Sequence, residues 1–421
     1  MEKTKRWIIS LIFISLLFPN IGFGEIDGTI SATWIREDFI RSLLIDEKRG
    51  EIMKDNIVPK WIPYSEMVIY KSREEKPYLY YIDCGISPSI VCICEGEVEN
   101  LSFIPLSENK NAKKIIFTLG VDLMSSEISK NIKPSFLLSL EKKVDGNIVF
   151  LRHKRTNTLF YLREDGKIMG TSTAIEDKNW ASVVNINGDC SRDKKIAFIS
   201  TLAGTDGDLY TFELPKEGEM IDLSRITRLT FDNSMEEMNP KWSPDGKSII
   251  YSSFKGNNMD IYLIDANIGT TAQGIKTQLT TNTTTYECNP TFSPDGKMIA
   301  YYSTKDGVIY DLWVMKNNGE DKKKIADNVL KTDIYGPCWL PYGTTTLIYI
   351  YATQDRIEVE DVITNNKKIV YTEERLMSDI DAFYYDGEAG KEIFIAYSAM
   401  DNYTKRKRIF IKEFKVLDLP R

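Results

Sequence analysis

Two copies of one thirteen-residue motif lie 50 residues apart in this chain, at positions 239–251 and 289–301. The first reads Asn-Pro-Lys-Trp-Ser-Pro-Asp-Gly-Lys-Ser-Ile-Ile-Tyr, and the second reads Asn-Pro-Thr-Phe-Ser-Pro-Asp-Gly-Lys-Met-Ile-Ala-Tyr. Each copy is followed by a second β-rich run and then by a short polar run. A repeat of this length is typical of stacked supersecondary units, so it constrains the fold more than any other feature of the sequence.

The centre of the motif, Ser-Pro-Asp-Gly, predicts a tight turn between two β-strands. Proline fixes φ at the second turn position, and the aspartates Asp245 and Asp295 can accept hydrogen bonds from nearby backbone N–H groups. Gly246 and Gly296 then supply the left-handed conformation that returns the chain as a hairpin. We therefore interpret these four residues as structural parts of a turn.

An aromatic residue precedes the turn by a fixed step in each copy, at Trp242 and Phe292. Weaker copies keep the tryptophan, at Trp61 in Pro-Lys-Trp and at Trp339 in Gly-Pro-Cys-Trp. Because the step to the turn is constant, the aromatic side chain faces the same way in every copy. We expect these residues to pack between neighbouring sheets.

Four short antiparallel strands in each repeat, without long helical periodicity, predict an all-β chain folded as a β-propeller of four-stranded blades. Aromatic markers or their substitutes recur at 70, 117, 150, 198, 251, 301, 349 and 395. The mean step is about 46 residues, which is a normal blade length. This favours eight blades, although the short step from 117 to 150 leaves seven or six possible.

The first 24 residues have the pattern of a secretory signal peptide. Three basic residues precede the largely apolar run Trp7–Phe18, which is shorter than the roughly 20 residues that span a bilayer. The small residues Gly22 and Gly24 predict cleavage before Glu25, and an uncleaved anchor is the alternative. No later segment is long enough to span a membrane. The pattern predicts a periplasmic or secreted protein.

The remainder divides into an N-terminal segment, 25–57, and a propeller, 58–421. Within the segment, 36–48 could form a short amphipathic helix. Alternatively, Leu43–Asp46 and Glu51–Lys54 could be strands that complete the last blade and close the ring, since an open ring would leave exposed strand edges. The strand interpretation is favoured.

Composition excludes several classes of function. The net charge is −7 and the pI is about 5.2, which argues against a basic nucleic-acid-binding surface. The only histidine is His153, so a His-rich metal site is excluded and any Ser-His-Asp enzyme would depend on that one residue. The sequence predicts no metal and no cofactor.

The cysteines permit a disulfide bond if the chain is exported. Cys84 ends one strand-like run, and Cys92 and Cys94 lie in the next, so a bond from Cys84 to either of them is possible. Buried free thiols are an equal alternative. A zinc site is disfavoured because it needs two cysteine pairs or cysteine with histidine.

Acidic residues recur just before the repeats, where a propeller chain crosses from an outer strand to the next inner strand at one mouth of the central channel. Such residues could bind a basic partner or a cation, could act as a carboxylate pair in glycoside hydrolysis, or could be solvated loop residues. The candidates for weak partner binding are Glu236, Glu237, Glu287 and Asp333.

The repeats resemble the WD-repeat-like blades of TolB-type periplasmic propellers. The resemblance lies in Asn239-Pro240, Asn289-Pro290 and the two segments 242–246 and 292–296, and it is clear over roughly 185–350. It implies a propeller that binds proteins in the cell envelope. TolB itself is implied to carry an N-terminal α/β domain, and the blade-like Trp61 leaves no room for one, so we expect a TolB-type protein other than TolB.

The predicted function is that of an exported, non-enzymatic scaffold that binds a protein or peptide partner in the envelope as a monomer. No Gly-x-Ser-x-Gly elbow and no phosphate-binding loop occurs. The alternative is a carbohydrate-active propeller enzyme that uses carboxylates at the channel mouth.

Overall fold

The computed structural model describes residues 45–46, 51–52, 55–61, 67–73, 77–83, 89–104, 114–128, 134–145, 148–154, 159–163, 167–170, 180–215, 221–232, 234–266, 275–331, 336–342, 346–352, 356–362, 365, 367–372, 377–387, 390–400 and 405–415. Apart from a single 3-10 turn at Leu223–Arg225, every regular element in these ranges is a β-strand, and all the paired strands are antiparallel. The predicted all-β propeller fold is confirmed.

Four groups of strands come first in the chain. The short strands β1 (Ile45–Asp46) and β2 (Glu51–Ile52) pair with each other. Sheet 1 contains β3 (Asp55–Trp61), β4 (Met67–Arg73), β5 (Pro77–Asp83) and β6 (Ser89–Glu95), and sheet 2 contains β7 (Val98–Phe103), β8 (Lys114–Leu119), β9 (Asp122–Glu127) and β10 (Ser135–Leu138). Sheet 3 contains β11 (Leu140–Asp145), β12 (Ile148–His153), β13 (Leu159–Leu162), β14 (Ile168–Gly170) and β15 (Ala181–Ser182).

Three four-stranded sheets cover the region of clearest repetition. Sheet 4 contains β16 (Asn185–Cys190), β17 (Lys195–Ser200), β18 (Asp208–Glu213) and β19 (Thr227–Arg228). Sheet 5 contains β20 (Glu236–Trp242), β21 (Ser248–Lys255), β22 (Asn258–Asp265) and β23 (Lys276–Gln278), and sheet 6 contains β24 (Tyr286–Phe292), β25 (Met298–Thr304), β26 (Tyr310–Lys316) and β27 (Lys323–Val329).

The last two sheets differ in strand number. Sheet 7 contains β28 (Cys338–Tyr342), β29 (Thr346–Ala352), β30 (Arg356–Asp361) and β31 (Lys367–Thr372), whereas sheet 8 has three strands, β32 (Met377–Gly387), β33 (Gly390–Met400) and β34 (Lys407–Lys415). Within the described residues β1 and β2 pair only with each other. The boundaries of the N-terminal segment and its ring-closing role stay predictions, and residues 1–24 lie outside the described part.

The Ser-Pro-Asp-Gly turns are held by bonds within the turn. In the turn between β20 and β21, the Asp245 carboxylate accepts a hydrogen bond from Ser243 Oγ at 2.6 Å and from the Lys247 backbone N–H at 3.1 Å. Gly246 has a φ of 69°. The turn of sheet 6 repeats this arrangement through Asp295 and Gly296, whose φ is 73°. The identical local bonds explain why the same four residues recur.

The first strand of several sheets contains a β-bulge with an asparagine in the left-handed region. Asn239 has a φ of 50° and Asn289 has a φ of 51°, and the pairing of each strand with its neighbour shifts at that point. Asn100 and Asn187 occupy the same place in β7 and β16. Asparagine tolerates this conformation better than other side chains with a Cβ. The side-chain amide of Asn239 also donates to Asn289 Oδ1 at 3.0 Å, so it joins two sheets.

Each motif aromatic lies against the sheet that precedes its own around the molecule. Trp242 packs in a cluster with the sheet 4 residues Ala197 and Leu209. Phe292 packs against the core of sheet 5. Trp339 Nε1 donates to Thr291 O of sheet 6 at 3.3 Å. These contacts bury apolar surface between neighbouring sheets, which is the main stabilising term for such stacking.

The sheets form a closed series of contacts. Strand β16 lies against β7, β8 and β9, strand β20 lies against β16, and β24 lies against β20, β21 and β22. Strand β32 lies against β28 and β29, and β3 lies against all three strands of sheet 8. In addition, Trp61 makes an edge contact with Phe394, with ring centroids 5.7 Å apart. The first and last sheets therefore meet.

Sheet 3 shares a hydrophobic cluster with sheets 2 and 4. Leu140, Leu151 and Ile168 of sheet 3 pack with Ile116 of sheet 2 and Phe198 of sheet 4. The first strands of sheets 2 and 4 nevertheless touch each other directly. Eight described sheets have three or more strands, and the number of blades stays a prediction.

Candidate functional site

The candidate site is the end of sheets 5 and 6 at which β20 and β24 begin. Register places the β21–β22 and β25–β26 hairpins at this same end, since Glu236 pairs with Phe254 and Tyr286 pairs with Thr304. We call this surface the mouth face. It holds three of the four predicted acidic residues, whereas Asp333 lies outside the described residues.

The acidic residues of the mouth face differ sharply in exposure. Glu236 is exposed, but Glu237 is only 1% exposed and Glu287 only 3%. Successive side chains of a strand point to opposite sides, which explains the difference between the adjacent residues Glu236 and Glu237. Glu237 and Glu287 occupy equivalent positions in neighbouring sheets, but neither offers its carboxyl group directly to a partner in solution.

Glu237 lies at the junction between sheets 4 and 5. Its backbone N–H donates to Gly207 O of sheet 4 at 3.0 Å. Both of its carboxyl oxygens are buried, and neither has a hydrogen-bond partner among the described residues. Burial, reinforced by the negative charge of Asp208, raises the pKa of Glu237 to about 8, while Lys276 acts in the opposite direction.

Glu287 lies at the equivalent junction between sheets 5 and 6. Its Oε1 accepts hydrogen bonds from Ser303 Oγ at 3.2 Å and from Thr285 Oγ1, whereas Oε2 has no partner in the described part of the chain. Burial raises the pKa of Glu287 to about 7, and the charge of Asp260 adds to the effect.

Two further buried acids, Asp208 and Asp260, begin the Asp-Leu-Tyr and Asp-Ile-Tyr runs of β18 and β22. Asp208 forms a 2.8 Å ion pair with Arg228, and Asp260 accepts from Asn258 at 2.7 Å and from Gln278 at 2.9 Å. Burial raises the pKa of each. Their role was not predicted from the sequence, although the Asp-apolar-Tyr pattern recurs at both positions.

An exposed apolar tip occupies the β25–β26 hairpin of the mouth face. Val308 is 78% exposed and Ile309 is 54% exposed. The Asp306 carboxylate accepts from the backbone N–H groups of both, at 2.8 Å and 3.0 Å, and Tyr310 Oη donates to Gly307 O at 2.9 Å. These bonds hold the backbone of the loop in one conformation. This tip was not predicted from the sequence, in which its signal is Asp-Gly followed by two apolar residues.

The chemistry available on this face is limited. Among the described residues, no three Asp, Glu, Cys or His side chains are grouped so that they could hold a metal ion. The two buried glutamates are shielded from water, so the accessible groups of the face are Glu236, the hairpin loops and the Val308–Ile309 tip. This arrangement suits contact with another macromolecule.

The predicted disulfide bond cannot be placed, because Cys84 lies outside the described residues. Cys92 and Cys94 flank the buried Ile93 on β6. Burial, with the nearby Cys92, raises the pKa of the Cys94 thiol to about 12. The bond stays a prediction. In addition, no helix in the described ranges is both long and apolar enough to cross a membrane.

Residues 191–379 match the protein family described as the TolB beta propeller domain. This stretch contains both Ser-Pro-Asp-Gly repeats and the mouth face of sheets 5 and 6. This part of the chain is therefore similar to TolB-type β-propellers. The resemblance predicted from the repeats is thereby confirmed.

One curated protein is similar to part of this chain. The Tol-Pal system protein TolB of Hahella chejuensis (strain KCTC 2396) is 32% identical over 107 residues, which are 25% of this chain and 23% of that protein. The chain therefore matches less than a quarter of that relative, and it is a distant relative of TolB rather than TolB itself.

Two solved structures of this type are also similar. The putative TolB from Agrobacterium tumefaciens is 15% identical, with 78% of this chain and 95% of that chain covered and a TM-score of 0.43. TolB from Acinetobacter baumannii is 19% identical, with 73% of this chain and 64% of that chain covered and a TM-score of 0.41.

Proposed function

We propose that this TolB-type propeller is an exported, non-enzymatic scaffold that binds a protein or peptide partner in the cell envelope through its mouth face. The observation that supports it best is the ordered, exposed Val308–Ile309 tip, which stands at the same end of the sheets as Glu236. Rigid, solvent-exposed apolar groups gain free energy when a partner covers them and lose little entropy on binding.

The family supports the same proposal. The matching relative is named as a protein of the Tol-Pal system, and the first 24 residues of this chain have the pattern of a secretory signal. We propose that residues 1–24 direct export, that the mature chain begins at Glu25, and that it acts as a monomer. N-terminal sequencing of the exported protein and its mass in solution test these points.

The binding experiment compares variants at two ends of the same sheets. The full chain is produced in its own host, cross-linked in the envelope fraction, and the captured partner is identified. We expect the double variant Val308→Ser, Ile309→Ser to lose most of the capture, and Glu236→Lys to weaken capture of a basic partner. Glu237 and Glu287 are unsuitable for lysine substitution, since a buried lysine would destabilise the fold.

The control is Ile275→Ser, because Ile275 is equally apolar and exposed but precedes β23, which pairs with the far end of β22. Capture that is unchanged in the tip variant, or equally lost in the control, would count against the mouth face. Reducing-end release from a polysaccharide that stops with Glu287→Gln would instead support the carbohydrate-active alternative.

A further inference from the structure

The junction between sheets 4 and 5 encloses a carboxyl group whose two oxygens have no hydrogen-bond partner among the described residues. Glu237 is held there by the bond from its backbone N–H to Gly207 O. A Cβ on Gly207 would lie 2.6 Å from Ile199 Cγ2 of its own sheet and 3.7 Å from Glu237 O, which is an ordinary contact. The backbone bond places Glu237 next to the chain that leads into Asp208, the next residue of sheet 4, whose charge acts on the Glu237 carboxyl group.

One cation, Lys276, opposes the effect of burial on Glu237, but it also lies near other groups. The titratable groups that act on Glu237 or respond to it are Asp208 and Tyr210 of sheet 4, Tyr251, Tyr262 and Lys276 of sheet 5, and Asp232 of the connecting loop. Arg228 pairs with Asp208 at 2.8 Å. Lys276 lies 3.9 Å from Asp232 and 5.5 Å from the centre of the Tyr262 ring.

A buried carboxylate without donors is strongly disfavoured, so it must bind a metal ion, an ordered water or a proton. The described residues supply no third acidic, cysteine or histidine ligand for a metal. A water would satisfy hydrogen bonds but would not remove the repulsion from Asp208, which pairs with Arg228 at 2.8 Å. A proton on Glu237 removes both the cost of burying a charge and the repulsion from Asp208.

We propose that the contact between sheets 4 and 5 is proton-operated: protonated Glu237 keeps the two sheets together, and release of its proton to water loosens them. The carboxylate that remains would face Asp208 across the junction, and hydration of both charges requires the sheets to part. This inference does not depend on the proposed binding function.

The direction of the pH dependence follows from the two states of Glu237. In the closed junction its pKa is raised to about 8, and in an opened, hydrated junction it returns towards its ordinary value of 4.5. Opening therefore releases one proton between these values. The open fraction should rise by up to about tenfold per pH unit in this window and become constant above it.

The test is amide hydrogen exchange at the backbone N–H of Glu237, which reports on the bond to Gly207. Rates are measured on the full chain from about pH 5.5 to 9 and corrected for the intrinsic base-catalysed rate. We expect protection to fall by up to about tenfold per unit until about pH 8 in the wild type. In Glu237→Gln, which is neutral and similar in shape, we expect the same amide to show no slope.

The matched control is Glu236→Gln, which changes the exposed neighbour and should keep the wild-type slope. If Glu237→Gln does not fold, Glu237→Met provides a second neutral variant of similar length. A wild-type protein with no pH-dependent protection at this amide overturns the proposal, whatever the variants do. A neutral variant that retains the full wild-type slope also overturns it.

Discussion

The carboxyl group of Glu287 accepts a hydrogen bond from Ser303 Oγ at 3.2 Å, while its second oxygen lacks a partner among the described residues. Its pKa is about 7 in the folded protein, against an ordinary value of 4.5. The folded chain therefore keeps this proton to a higher pH than the unfolded chain does. As a result, the free energy of unfolding should fall as pH rises from 4.5 to 7 and then level off.

Glu287→Gln should flatten this part of the pH dependence. The amide keeps an acceptor oxygen for Ser303 and carries no charge at any pH. We expect the difference in unfolding free energy between pH 5 and pH 8 to shrink by at most about 3 kcal/mol, measured by urea denaturation. Glu236→Gln, on an exposed residue, should leave the difference unchanged. Identical curves for Glu287→Gln and the wild type would contradict the assignment.

Single residues could be predicted from the sequence where their role is local. The turn bonds of Asp245 and Asp295 involve residues no more than two positions away, so a short motif contains all the information. The burial of Glu237 and Glu287 could not be predicted in this way. It depends on a neighbouring sheet that approaches through Gly207 and Asp260, and nothing in the local pattern records that approach.

Two glycines have nearly equal φ values but different surroundings. Comparing substitutions at them separates the cost of the backbone conformation from the cost of disturbing the contact between sheets. Gly296 and Gly336 have φ values of 73° and 69°. A Cβ on Gly296 would lie 3.4 Å from Pro244 Cδ, which is an ordinary contact. A Cβ on Gly336 would lie 2.5 Å from Asn289 O and 2.8 Å from Thr291 Cγ2 of the neighbouring sheet. Alanine at Gly296 is therefore disfavoured only by the left-handed backbone conformation. Alanine at Gly336 is disfavoured by that conformation and also by a clash with sheet 6.

Gly296→Ala should lower the free energy of unfolding by about 1–2 kcal/mol, which is the usual cost of the left-handed conformation. Gly336→Ala should cost more, because sheet 6 must also move away from sheet 7 to admit the methyl group. Parallel urea denaturation of both variants measures the difference. Equal losses would show that the contact between the sheets relaxes freely.

The length of the elements was easier to predict from sequence than their grouping. The step of 33 residues between the markers at 117 and 150 predicted that one marker was unreliable. Phe150 lies in β12, the central strand of the five-stranded sheet 3, while β7 and β16 on either side of that sheet contact each other directly. An apolar run such as Ile148–Phe150 forms the same kind of strand in a four-stranded sheet and in the five-stranded sheet 3. Its composition therefore could not show which kind of sheet it would join.

At the scale of the whole molecule, one kind of polar link joins two sheets that are consecutive in sequence and also joins the last sheet to the first. In each link, an aspartate accepts a hydrogen bond from a tryptophan backbone N–H and lies near the preceding lysine. Asp189 accepts from the Trp242 backbone N–H at 2.9 Å and lies 3.3 Å from Lys241 Nζ. Asp381 accepts from the Trp61 backbone N–H at 2.8 Å and lies 3.0 Å from Lys60 Nζ. The first link joins sheets 4 and 5, and the second joins sheets 8 and 1.

Asp381→Ala should destabilise the protein by about 2 kcal/mol, since it removes a charged acceptor from a buried N–H group. Because the lost link joins the first and last sheets, we expect faster amide exchange in both β3 and β32. Asp189→Ala should cost a similar amount but affect β16 and β20 instead. Exchange measured by mass spectrometry distinguishes the two patterns. Faster exchange in β32 alone would contradict a closing role for Asp381.

This closing contact could not be predicted from the sequence. The Pro-Lys-Trp run at 59–61 indicated a further copy of the repeat, but no pattern linked it to the acidic residue 320 positions later. Long-range partners of this kind are set by the curvature that accumulates over all the sheets between them.

The meeting of β3 with sheet 8 also determines how the molecule would respond to mechanical force. If residues 55 and 415 were pulled apart, the load would fall first on the seam between these sheets, where described side chains provide the Asp381 bonds and the Trp61–Phe394 contact. The backbone ladders within each sheet would be loaded only afterwards. We therefore expect sheets 1 and 8 to separate at a lower pulling force than the one that unfolds the individual sheets.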